Sequence, residues 1–187
     1  SGSNAFRLCF SDPAQGTKSA EYIGVNKLAT KVAIIYDSSD PYSAGICESF
    51  KAEASKQGID VVASEAFTAD SKTDFKVQLQ KAKDSGAELL FLPIYYQEAS
   101  LILQQADAMG FAPKFFGCDG LDGLLGVENF DTSLAEGVML LTPFVAGDDD
   151  FSKDYKAKFG EDPIQFAADA YDAIYIMKAN NGGTENV

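Results

Sequence analysis

The chain has 187 residues, a net charge of −13 and no histidine. A surface this acidic repels phosphate backbones and anionic membranes, which argues against nucleic-acid binding. The missing histidine removes the usual Ser–His and Cys–His catalytic pairs and the commonest zinc ligand, so the composition predicts no metal or other cofactor. Cys9, Cys47 and Cys118 lie far apart in sequence and are expected to be reduced.

The first half of the chain alternates helical and strand-like patterns. A short apolar stretch, Phe6 to Phe10, is followed by a predicted helix from about Ala14 to Ala29. Residues 31–36 (KVAIIY) predict a strand buried on both faces. A helix over about 43–57 ends at Gly58, where a left-handed cap is expected, and residues 60–66 form the next strand.

The same alternation continues to the end. Ser71 and Thr73 are candidate N-caps of a helix that reaches Gly86. The remaining elements are predicted at 88–94 (strand), 97–109 (helix), 114–117 and 137–142 (strands), 149–159 and 164–180 (helices). We therefore predict an α/β fold, a three-layer αβα sandwich around a mostly parallel, doubly wound sheet. No linker is evident, so residues 1–187 are expected to form one domain. No apolar run approaches the roughly 18 residues of a membrane helix. No charged-then-apolar leader is visible before the first elements, which leaves two interpretations: the protein is cytoplasmic, or its leader lies outside this sequence.

Candidate ligand-binding side chains follow the ends of the predicted strands, which is where open parallel sheets bind ligands. Tyr42 lies in the loop after residues 31–36, Tyr95 follows residues 88–94, and Asp119 follows residues 114–117. These segments offer aromatic rings and carboxylates but no lysine, arginine or histidine. Such chemistry suits a small cationic or zwitterionic ligand, because a carboxylate holds an ammonium with charge-assisted hydrogen bonds and a tyrosine ring adds cation–π attraction.

Each of these residues also has a plain structural interpretation. Asp119 could cap the loop that follows it, Tyr95 or its neighbour Tyr96 could pack into the core, and Tyr42 could be a simple loop aromatic. Other polar groups favour a structural role. The pattern favours a strand-to-helix cap for Arg7, Asp12 and Gln15, with a hinge role as the weaker alternative. It favours first-turn helix chemistry for Glu98 and a solvated helix start for Asp148–Asp150.

Five blocks resemble the periplasmic branched-chain amino-acid-binding proteins, in the same order as in that family. They are FRLCFSDPAQG (residues 6–16), KVAIIYDSSDPYSAGICESF (31–50), the block from DFKVQLQ to ADAMGF (74–111), KFFGCDG (114–120) and YDAIYIMKA (171–179). The resemblance implies one lobe of a type I periplasmic-binding protein, with a flavodoxin-like sheet. It also implies that residues 1–187 are an excised second lobe.

The family's site residues carry over to three positions. Tyr42 matches a tyrosine that packs on the ligand, Tyr95 matches the first tyrosine of a YYPE block, and Asp119 matches an acidic residue that holds the α-ammonium. Gln97 stands where the family has proline. The grip on the ligand's carboxylate is expected in the lobe that this chain lacks.

The resemblance implies an extracytoplasmic solute-binding component of an ABC importer for branched-chain or related amino acids. Such a protein is a monomer, periplasmic or a cell-surface lipoprotein, that closes on its ligand, delivers it to a membrane permease and catalyses no reaction. A ligand-sensing receptor ectodomain with the same lobe fold is the alternative. An α/β enzyme or a phosphoacceptor receiver domain is a third, although residues 10–12 and 142–144 lack the acidic cluster and the lysine that a receiver needs.

Overall fold

The structure is a computed structural model that describes residues 7–181. Backbone contacts group these residues into two compact units. The larger is Ser11–Leu141, and the smaller contains the described residues of Ser1–Phe10 and Thr142–Val187. The single lobe expected over residues 1–187 stays a prediction. Among the helices of residues 7–181, none has the length and apolar content needed to span a bilayer.

The larger unit is an α/β fold with a parallel sheet. Its elements are α1 (Asp12–Val25), β1 (Lys31–Asp37), α2 (Pro41–Ala54), β2 (Asp60–Phe67), α3 (Lys76–Asp84), β3 (Leu89–Leu92), α4 (Tyr96–Ala108), β4 (Lys114–Gly117) and β5 (Met139–Leu140). Within the described residues the sheet has five strands in the order β2-β1-β3-β4-β5, and every neighbouring pair is parallel.

Alternate residues of the central strands fill two separate cores. Val32 and Ile34 of β1 belong to the core shared with α1 and α2, where Phe50 stacks on Phe91 with ring centroids 4.2 Å apart. Ala33 and Ile35 point to the other face and pack with residues of α3 and α4. The sheet is therefore covered on both faces, which explains the nearly continuous apolar sequence of β1. The predicted αβα architecture is confirmed.

Some local predictions are confirmed and others are wrong. Gly58 has a φ of 71°, as the predicted left-handed cap requires. Ser71 and Thr73 do not cap α3: the helix begins at Lys76, whose N–H is bound by the Asp74 carboxylate at 3.1 Å, while Ser71 closes a turn with Thr68. Of the apolar stretch 6–10, residues 7–10 form no strand, and Phe6 lies outside the described residues.

The smaller unit contains α5 (Asp150–Phe159) and α6 (Gln165–Asn181). The Asp149 carboxylate caps α5, accepting hydrogen bonds from the Ser152 N–H at 2.9 Å and the Ser152 hydroxyl at 2.6 Å. The prediction that the acidic run 148–150 begins a helix is therefore confirmed. Phe151 and Tyr171 join the two helices, with ring centroids 4.7 Å apart.

Candidate ligand-binding site

The strand order brings three loops together at one edge of the sheet. Strands β1, β3 and β4 are neighbours, and all of them run in the same direction. Their carboxyl ends lead to Tyr42, Tyr95 and Asp119 respectively. The order also reverses between β1 and β3, which is the switch point where open α/β sheets form a crevice. The sequence placed all three residues at the edge where the structure has them.

The side chains of Tyr42 and Asp119 are joined by a direct hydrogen bond. The Tyr42 hydroxyl donates to Asp119 Oδ1 at 2.6 Å and accepts the Gly120 N–H at 2.9 Å. Asp119 is only 7% exposed. Burial, followed by the nearby Cys118 and Asp119, raises the pKa of Tyr42 far above its ordinary value, so the hydroxyl keeps its proton and remains a donor.

Tyr95 adds a second ring to this pair. It stacks on Tyr42 with the ring centroids 5.0 Å apart and the planes 24° from parallel. Tyr95 is 43% exposed, so one side of the stack faces solvent. Burial raises the pKa of the Tyr95 phenol, and the carboxylates of Asp40, Asp119, Asp12 and Glu98 raise it further. The same four carboxylates make this edge electronegative, which favours a cation.

The start of α2 fixes the direction of Tyr42. Pro41 occupies the first helical position, where its missing N–H leaves no bond unmade, and the Asp40 carboxylate accepts the Tyr42 N–H at 3.3 Å. The Ser43 hydroxyl accepts the Asp37 N–H at 2.8 Å and ties this first turn to the end of β1. The DSSDPY segment therefore folds as a strand end and a capped helix that present Tyr42 to the neighbouring loops.

Gly120 allows the three loops to approach closely. A Cβ at this position would lie 2.6 Å from the Ile94 carbonyl oxygen and 2.7 Å from the Tyr42 hydroxyl oxygen. Real Cβ atoms do not come this near to backbone oxygen, so glycine is required for the contact. The glycine of the CDG block thus belongs to the site, a role that the sequence analysis did not predict.

Gln15 is a second residue of the site, and the strand-to-helix cap expected for it is wrong, because its side chain bonds the backbone of Asp119 instead. It is 1% exposed in the first turn of α1, and its Oε1 accepts the backbone N–H of Asp119 at 3.1 Å. Its Nε2 is buried and has no hydrogen-bond partner among residues 7–181. A buried hydrogen bond contributes about 0.5–1.5 kcal/mol, whereas an unpaired buried donor costs about 1–3 kcal/mol. The cost of the unpaired donor therefore offsets the gain from the hydrogen bond.

The remaining polar neighbours have structural partners, as the plain interpretation predicted. Glu98 forms an ion pair with Lys72 at 3.3 Å, and Tyr96 packs against the core that contains α3 and α4. Cys118 is fully buried against the Ser19 hydroxyl, at 3.7 Å. In the part of the chain that the structure describes, no group of three or more acidic or cysteine side chains is arranged to hold a metal ion.

Comparison with known proteins gives consistent matches. A family model described as periplasmic binding protein matches residues 1–180. The chain is 31% identical over 181 residues to a Leu/Ile/Val-binding protein homolog of Brucella melitensis, covering 94% of the chain and 48% of that relative. The chain thus spans about half the length of this relative.

Solved structures of amino-acid-binding proteins are also similar to this chain. The branched-chain amino-acid transporter substrate-binding protein LivJ of Streptococcus pneumoniae, in complex with isoleucine, superposes with a TM-score of 0.82 and 30% identity, over 95% of this chain and 51% of that one. The leucine-binding protein LivK of Thermotoga maritima superposes with a TM-score of 0.78 and 28% identity, over 91% of this chain and 49% of that one.

Proposed function

The chain belongs to the periplasmic binding protein family, and from that premise we propose that it supplies one lobe of a two-lobed trap for a small amino acid. Branched-chain amino acids are the proposed ligand class, because the similar Brucella, Streptococcus and Thermotoga proteins carry names of that class. The site lies in the unit Ser11–Leu141, and the other lobe belongs to the rest of the protein.

The observation that carries this proposal is the triad of Tyr42, Tyr95 and Asp119. A nearly buried carboxylate, held by a neutral phenol, lies beside a half-exposed aromatic stack. A carboxylate in such surroundings binds an ammonium with charge-assisted hydrogen bonds, and the ring faces attract the same cation. The aromatic surface then contacts the aliphatic part of the ligand.

The charge around the triad supports a ligand that presents its ammonium to this lobe. Segments 37–42, 95–98 and 118–120 contain no lysine, arginine or histidine. An anionic group of the ligand therefore has no cationic partner in these loops. The proposed ligand is a zwitterion whose carboxylate is bound by the opposite lobe.

The proposed mechanism is capture without chemistry. The two lobes close on the amino acid, and the closed form presents it to the permease of an ABC importer on the outer side of the membrane. The trap works as a monomer, in the periplasm or as a surface lipoprotein, and catalyses no reaction. Specificity among amino acids arises from both lobes.

Calorimetry with L-leucine, L-isoleucine and L-valine tests the proposal on the protein that contains both lobes. We expect binding of at least one of them, and at least 30-fold weaker binding of 4-methylpentanoate, which is leucine without its ammonium. Asp119→Asn should remove most of that preference while the protein stays folded. Equal affinity of the wild type for leucine and 4-methylpentanoate would contradict ammonium recognition.

A further inference from the structure

Asp119 is held at two points by two different helices. Helix α2 binds its side chain through the Tyr42 hydroxyl, and helix α1 binds its backbone N–H through the Gln15 amide. Gln15 and Asp119 are 104 residues apart in sequence. Both contacts are buried or nearly so, because Gln15 is 1% and Asp119 7% exposed.

The orientation of the Gln15 amide follows from its partner. The Asp119 N–H is a donor, so it must meet the oxygen of Gln15, and the Nε2 group must point elsewhere. There it makes no hydrogen bond within the described residues. An apolar side chain of the same volume would remove this donor but would leave the buried Asp119 N–H without an acceptor, so the glutamine is required here for its oxygen and not for its volume.

The backbone around Gln15 cannot shift to compensate. The next residue, Gly16, lies so close to α2 that a Cβ there would overlap the Ile46 carbonyl oxygen and lie 2.8 Å from the Phe50 nitrogen. This contact fixes α1 against the helix that carries Tyr42. Gln15 therefore reaches Asp119 from a rigid support, which is what a positioning role requires.

We propose that Gln15 is a positioning residue of the ligand site, which orients Asp119 by fixing its backbone so that the carboxylate faces the ligand ammonium. This inference rests on the proposed amino-acid-binding function. The hydrogen bond from Asp119 to Gln15 sets the start of the 3-10 turn Asp119–Leu121, and Tyr42 then sets the side chain. Without Gln15 the Asp119 backbone loses the hydrogen bond that fixes it to α1.

The test is a double-mutant cycle in the two-lobed protein, with L-leucine as the probe. Gln15→Met keeps the volume and removes the acceptor, and it should raise the leucine Kd at least 10-fold. In an Asp119→Asn background the same change should alter the Kd less than 2-fold, because the carboxylate that Gln15 orients is gone. Equal effects in the two backgrounds would overturn the inference, since a purely structural residue lowers affinity in both.

Two further variants keep the test decisive if Gln15→Met folds poorly. Gln15→Asn keeps the amide but shortens its reach by one methylene, so its oxygen no longer meets the Asp119 N–H and the leucine Kd should rise at least 10-fold. A Kd within 3-fold of the wild type overturns the inference. Ser19→Ala is the matched control, because Ser19 is buried one turn later on α1 and contacts Cys118. It should change the Kd less than 2-fold, and a 10-fold rise would show that any buried change in α1 has the same effect.

The two proposals fail in different ways. A wild-type protein that binds none of the three branched-chain amino acids overturns the proposed function and this inference together. A wild-type protein that binds leucine, combined with an uncoupled Gln15 and Asp119, overturns the inference alone.

Discussion

Tyr42 donates a 2.6 Å hydrogen bond to Asp119 across 77 residues of sequence, and so links the start of α2 to the end of β4. The same hydroxyl oxygen accepts the Gly120 N–H. One phenol thus satisfies a buried carboxylate and a buried backbone donor.

Tyr42→Phe should lower the free energy of unfolding by about 2–3 kcal/mol at pH 7, because it removes a charge-assisted hydrogen bond and leaves the Gly120 N–H without its acceptor. Urea denaturation of the chain measures this change. Tyr36→Phe is the matched control: the Tyr36 hydroxyl makes no hydrogen bond within residues 7–181, so the expected change is below about 0.5 kcal/mol. Similar values for the two variants would show that the Tyr42 hydroxyl contributes nothing to stability.

Gly120→Ala should disrupt the site, since its Cβ would meet the Ile94 carbonyl and the Tyr42 hydroxyl. We expect a loss of about 2–4 kcal/mol in the free energy of unfolding. Gly126→Ala serves as the control, because a Cβ at Gly126 meets nothing within 4 Å. Thermal unfolding compares the two, and an unchanged midpoint for Gly120→Ala would mean that the loops are less tightly packed than the structure shows.

Gly16 of α1 and Gly45 of α2 should respond to alanine in opposite directions. Gly16→Ala drives a methyl group into the backbone of α2 and should lower stability by more than about 2 kcal/mol. Gly45→Ala adds a methyl group in open space within α2 and should raise stability by about 0.5–1 kcal/mol, owing to the better helix propensity of alanine. Urea denaturation measures the free energy of unfolding of both variants. A stabilising effect of Gly16→Ala would contradict the close packing of α1 on α2.

Titration of the Cys118 thiol should make the free energy of unfolding depend on pH in the alkaline range. Burial raises the pKa of its thiol from about 9 to about 12. The unfolded thiol loses its proton first, so the contribution of Cys118 to stability is complete below about pH 9 and is lost as the pH rises toward 12. Each pH unit in that window removes about 1.4 kcal/mol.

The measurement is urea denaturation of the wild type and Cys118→Ala at several values between pH 9 and 11. The alanine variant should lose less stability over this range, because it has no thiol to titrate. Parallel curves for the two proteins would show that the folded thiol ionises as easily as the unfolded one.

The site residues that sequence reasoning identified share one property. Tyr42, Tyr95 and Asp119 each follow a strand of a parallel sheet, and the carboxyl ends of such strands meet at one edge whatever their order. Their loop blocks also carry the family resemblance, which the match over residues 1–180 confirms. Local pattern and topology placed these three at one edge, and the family resemblance then favoured them as ligand contacts over their structural interpretations.

The site roles of Gln15 and Gly120 could not be predicted from the sequence, because they depend on tertiary contacts rather than on position along the chain. Gln15 lies in the first turn of α1, where the same residue type is an ordinary helix start, and only the packing of α1 on α2 brings it to Asp119. Gly120 lies in a loop, where glycine is common for many reasons, whereas the close approach of Ile94 and Tyr42 requires it. Neither contact leaves a periodic signal in the sequence.

The strand order has a consequence for the folding of the chain during synthesis. Strand β1 pairs with β2 along one edge. Its other edge pairs with β3, where Val32 lies opposite Leu89. Until residues 89–92 have left the ribosome, the apolar strand KVAIIY has an open edge available for pairing with another chain. Slow, long-range closure of this sheet is therefore the step at which the nascent protein is most exposed to aggregation.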